Sequence, residues 1–139
     1  MPIKFRSMPS LVLAACLPVF PALADDVRGA ERILCSTMDA HVCFPGAECT
    51  RMSPEELNIP HFIEIDVDSG RMSTTEASGL NRSTDAQVAE RHDGHLLIQG
   101  HEQQRAFSLM IDAATGHASL ASAGMDRGVV AFAACTPID

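Results

Sequence analysis

From His61 onward the chain alternates apolar and polar residues in short runs separated by turn signals. In Phe62-Ile63-Glu64-Ile65-Asp66-Val67-Asp68, Ile63, Ile65 and Val67 share one face and the acids share the other. That period of two is the mark of a half-buried strand. Ser69-Gly70 predicts a tight turn and Arg71 to Glu76 the return strand, with a loop by composition over Ser78 to Thr84. Ala86 to Arg91 reads as another strand ending at Asp93-Gly94, a strong short-range hairpin signal. Its partner is His95 to Glu102, with Leu96 and Ile98 inward. Arg105 to Asp112 places Phe107, Leu109 and Ile111 on one face. Thr115-Gly116 then turns the chain into His117 to Ala123, and Asp126-Arg127-Gly128 turns it into Val129 to Cys135.

Before His61 the signals are shorter. Residues 25–32 form a polar lead-in, Ile33 to Val42 can run as a first strand, and Pro45-Gly46 marks a turn. Ser53-Pro54-Glu55-Glu56 has the capping serine, proline and acids of a helix start, but Asn58 and Pro60 stop it after about one turn. About six to eight short strands joined by tight turns make an all-β antiparallel meander. A sheet of that length forms a small up-and-down barrel or a strongly curled sheet; a two-sheet β-sandwich is the alternative.

The first residues change the picture of where this domain works. Lys4 and Arg6 precede an apolar stretch from Leu11 to Leu23, which ends in Ala22-Leu23-Ala24, the small-x-small pattern of a signal peptidase site. Residues 1–24 are therefore read as a signal peptide and residues 25–139 as one mature domain, periplasmic or secreted. Pro18 and Pro21 break a stretch already too short to span a bilayer, so no membrane span is expected. Leu13-Ala14-Ala15-Cys16 also matches a lipobox, and the alternative is a lipoprotein anchored through Cys16. The apolar residues after Cys16 and the cleavage pattern at Ala24 favour the plain leader.

Export makes the cysteines disulfide-competent. Cys35, Cys43, Cys49 and Cys135 follow the leader, and four cysteines allow three connectivities. The Pro-Gly turn between Cys43 and Cys49 brings those two together and leaves Cys35 with Cys135, a bridge that would set first and last strands side by side and close the sheet. On the chain-entropy model the short loop contributes about 2.4 kcal/mol and the long one about 4.7 kcal/mol. A zinc site from these thiols is the sharper alternative, but no CxxC pair is present.

Charge narrows the partners. All eighteen Asp and Glu lie after the leader, against eight Arg and no Lys, a balance of −10. Nucleic acid and anionic lipid both need a basic footprint, so neither is expected. The aromatics after the leader are Phe44, Phe62, Phe107 and Phe132, too few for stacking platforms.

The order of leader, Cys35-x7-Cys43-x5-Cys49, an Ile-Asp strand, Phe107-Ser108-Leu109-Met110-Ile111-Asp112 with Thr115-Gly116, and a terminal Cys135 resembles small exported cysteine-containing proteins of unknown function from α-proteobacteria. The resemblance covers most of the mature chain. It implies an envelope protein with a β-sheet fold, and it implies no activity.

Among candidate chemistry, His92 and His95 straddle the Asp93-Gly94 turn and are the candidate metal ligands, for Zn²⁺ or Cu²⁺. A pair of solvated turn histidines is the plainer reading, and no metal or other cofactor is expected. His101 shares the face of His95 but lies ~20 Å along an ideal strand. Met38, Met52, Met72, Met110 and Met125 are scattered singly, as core fillers are. Glu64, Asp66 and Asp68 sit at strand spacing and lack the glycine and distal glutamate of a calcium loop. There is no Gly-x-Ser-x-Gly elbow and no His-Glu-x-x-His, so no enzyme is expected and no catalytic residue is assigned. The leading expectation is a non-enzymatic exported β-scaffold that binds an unknown protein or small molecule of the cell envelope. A periplasmic metal-binding protein using the turn histidines is second. An inhibitor of an exported enzyme is third, presenting the locked loop from Cys43 to Cys49.

Overall fold

A computed structural model describes residues 25–138; the expected leader, its cleavage site and Cys16 lie outside the described residues. Ten strands form one antiparallel sheet: β1 (Arg32–Cys43), β2 (Thr50–Met52), β3 (Phe62–Asp66), β4 (Arg71–Thr74), β5 (Ser83–Asp85), β6 (Val88–His92), β7 (His95–Glu102), β8 (Arg105–Asp112), β9 (His117–Ala123) and β10 (Gly128–Pro137). Their order is β5-β4-β3-β1-β10-β9-β8-β7-β6, with β2 paired to β1 beyond the point where β3 stops. β3 and β4, and β6 through β10 in turn, are neighbours joined by connections of two to four residues, which leave no chain for a crossover. The sheet is the strongly curled antiparallel form of the expected meander. A sandwich is not formed, since one continuous ladder carries every strand.

Curling brings the two ends of the sheet into one stretch of chain. Ser83 to His92 pairs with β4 through its first part, β5, and with β7 through its second, β6. Between them Ala86 donates its N–H to the Gly70 carbonyl at 3.0 Å and Gln87 donates to Gln99 at 2.9 Å. This segment therefore supplies both edge strands of the curled, half-barrel sheet. The first and last strands do lie side by side, with Cys35 directly opposite Cys135, but in the middle of the sheet. The second disulfide joins Cys43 to Cys49 across the Pro45-Gly46 turn.

A β-bulge between Thr37 and Asp39 shifts the register of β1 against β10. It puts Met38 outside, 56% exposed, and changes the phase of the strand, so that Ile33, Cys35 and Thr37 and then Ala40 and Val42 are all buried. β2 was not foreseen in the sequence, where Arg51 onward reads as the approach to a helical turn. That turn is present over residues 54–58 as hydrogen-bonded turns. Ser53 and Glu56 cap it reciprocally through their side chains and backbone N–H groups.

One end of the barrel is packed shut. Ile33, Leu96, Ile98 and Ile111 are fully buried there, and the segment before β1 folds over them. Val27 is its plug, fully buried, donating its N–H to Ala113 at 2.8 Å. Arg91 secures the plug from β6 by donating to the carbonyls of Val27 and Ala30. Gly116 (φ +69°) lets the plug approach: a Cβ there would stand 2.3 Å from the Cys135 carbonyl and 2.6 Å from that of Asp25.

Candidate functional site

The other end of the barrel is hollow. A cavity of about 160 Å³ opens between the inner face of the sheet and the loop before β3. Its lining draws on eight strands, and the apolar part includes Ile63, Met72, Phe107, Leu109, Leu120 and Ala133. Most of these, unlike the isoleucines at the closed end, are only partly buried. The void follows from side-chain size. Thr37, Ser122, Ala131 and Ala133 point inward from β1, β9 and β10 and are too short to meet the opposite wall. Gly100 adds to this on β7, where it sits opposite Phe107 and receives the ring: a Cβ would lie 2.7 Å from Phe107 Cζ. The Cys35–Cys135 bridge contributes Cys35 to the lining, so the disulfide braces the cavity wall.

Leu57, Asn58, Ile59 and Pro60 form the rim on one side. This loop is clasped twice. Thr37 donates its hydroxyl to Pro60 and its N–H to His61, and Arg82 donates from Nη1 to the Asn58 carbonyl at 2.9 Å. His61 also pairs with Glu55, whose carboxyl is held below the ordinary glutamate range by a backbone N–H and then by His61.

The opposite rim carries charge. Arg82, Glu102, Gln103 and Arg105 all line the mouth. Arg82 Nη2 pairs with Glu102 at 3.2 Å, both side chains about 30% exposed. Its Nε is shut from solvent with no hydrogen-bond partner among the described residues. The Arg105 guanidinium makes no hydrogen bond or ion pair among the described residues. The hairpin between Glu102 and Arg105 uses Gln103 and Gln104 at φ +47° and +66°, a left-handed pair at a place where Asn-Gly is the easy solution.

The residues singled out by sequence lie elsewhere. His92 and His95 face each other across the Asp93-Gly94 turn at the closed end, both exposed. His92 Nε2 is 3.1 Å from Asp93 Oδ2, and His95 Nδ1 is 3.1 Å from the Asp93 carbonyl. Among the described residues no three His, Cys, Asp or Glu side chains are placed to hold a metal ion. The loop from Cys43 to Cys49 is exposed over residues 44–49, with Phe44 accepting a turn hydrogen bond from Ala47. Arg82, Glu102 and Arg105 had no signal in the sequence. The run of small residues at alternate positions, Ala131 and Ala133, could have pointed to the cavity. No helix among the described residues is long and apolar enough to cross a membrane, and the two disulfides fit an oxidising, non-cytoplasmic compartment. Comparison of the chain with protein-family models, with curated proteins and with solved structures gives no match.

Proposed function

We propose that this is an exported, non-enzymatic binding protein of the cell envelope whose barrel takes up a small, largely apolar molecule through its open end. One observation carries the reading: inward-facing apolar side chains at the mouth half line a cavity, whereas their counterparts at the closed end are packed to exclusion of water. A cavity of about 160 Å³ is close in size to the roughly 150 Å³ apolar void known to admit a benzene ring. The ligand portion held inside therefore has about six carbon atoms. Concave, apolar and rimmed by a few polar groups is the ordinary make-up of a small-molecule site.

1-Hexanol is a suitable neutral probe. It is expected to raise the melting temperature in a saturable way, because a ligand that binds only the folded chain stabilises it by mass action. Ala131→Leu should fill the space, leave the protein folded and abolish that shift. Equal shifts in the parent and in the folded variant would count against the cavity as the site.

A further inference from the structure

We propose that the molecule held in this cavity is a short amphiphile with a carboxylate head, received at the mouth by Arg105. The inference rests on the cavity reading above and adds the chemistry of the head group. The mouth departs from the rest of the mature chain: two arginines face one glutamate there, whereas acids outnumber arginines eighteen to eight overall. Glu102 neutralises one guanidinium at most, because its contact is with Arg82 Nη2. The Arg105 charge is left without a partner among the described residues. Asp126 comes near, reaching the same side of Gly124 that the Arg105 stem packs against, yet it makes no ion pair with the guanidinium.

Arg82 contributes differently. Its backbone exchanges hydrogen bonds with Thr74, and its two terminal nitrogens are committed to Asn58 and Glu102. The side chain is thus fixed before any ligand arrives, and it is Arg82 that occupies Glu102. Immediately inside the rim the lining becomes apolar at Leu120, Phe107 and Ile63. Head and tail are therefore specified by adjacent parts of one site, and a charge-assisted hydrogen bond at its edge discriminates more strongly than a neutral one.

Three six-carbon probes separate the alternatives: hexanoate, 1-hexanol and hexylamine, each titrated calorimetrically into the protein at low and at high salt. Hexanoate is expected to bind about tenfold more tightly than 1-hexanol at low salt, with the advantage shrinking as salt rises. Arg105→Gln should remove most of that advantage and leave 1-hexanol binding unchanged, which also certifies that the variant is folded. Equal affinity for hexanoate and 1-hexanol, or tighter binding of hexylamine through Glu102, would overturn the head-group assignment while the cavity reading stands. Failure of all three probes would overturn both.

Discussion

Aspartates at two hairpins show how single residues tie this sheet together. Ile65-Asp66-Val67-Asp68-Ser69-Gly70 and Ile111-Asp112-Ala113-Ala114-Thr115-Gly116 repeat one pattern in which the aspartate accepts from the backbone N–H and hydroxyl of the Ser or Thr three residues on. A left-handed glycine follows each. The backbone N–H of Ser69 and that of Thr115, followed by their hydroxyls, hold the Asp66 and Asp112 carboxyls below the usual aspartate range. Such a group binds fewer protons folded than unfolded, so it makes stability rise with pH. The contribution is complete above about pH 4, the value in the unfolded chain, and is lost as pH falls through the lowered folded values. Asp112→Asn keeps an acceptor oxygen but removes the titration. Its acid unfolding curve should be shallower than the parent's, whereas an unchanged acid limb would show that Asp112 is not linked to folding.

At the scale of elements, the two disulfides differ by what they tie. Cys35–Cys135 spans a hundred residues and joins neighbouring strands, whereas Cys43–Cys49 spans six and ties only a loop. Denaturant unfolding should therefore show Cys135→Ser losing about twice as much stability as Cys49→Ser, about 4.7 against about 2.4 kcal/mol on the chain-entropy model. The opposite order would mean that the loop bridge does more than shorten the unfolded chain. Strands β7, β8 and β9 are legible in the sequence to the residue, since strict alternation is bounded there by strong turns such as Asp93-Gly94 and Thr115-Gly116. β2 is not legible, because Thr50-Arg51-Met52 is short, largely exposed and defined only by its pairing with β1. The bulge is half visible. The phase change between Ile33 and Cys35 on one side and Ala40 and Val42 on the other is in the sequence, but only the register with β10 turns it into a bulge. The cavity is a property of what opposing strands fail to fill, so the alternate small residues Ala131 and Ala133 hint at it but become a void only once the facing strands are known.

The whole molecule divides into a plugged half and a hollow half. The plug of residues 25–31 and the fully buried isoleucines make one end a conventional core. The arginine-bearing rim and the loop of residues 57–60, clasped by Thr37 and Arg82, frame the other, so the binding proposed there would order little that is not already held. The outer surface offers a rival. Phe132 and Met110 flank Ser119 across three adjacent strands and are both exposed, 44% and 47%. A methyl- and aromatic-resolved NMR titration with 1-hexanol separates the two surfaces directly. Saturable shifts are expected at Ile63, Met72, Phe107 and Leu120, with Met110 and Phe132 unmoved. Shifts confined to Met110 and Phe132, or no saturable shift inside the barrel, would contradict the cavity reading.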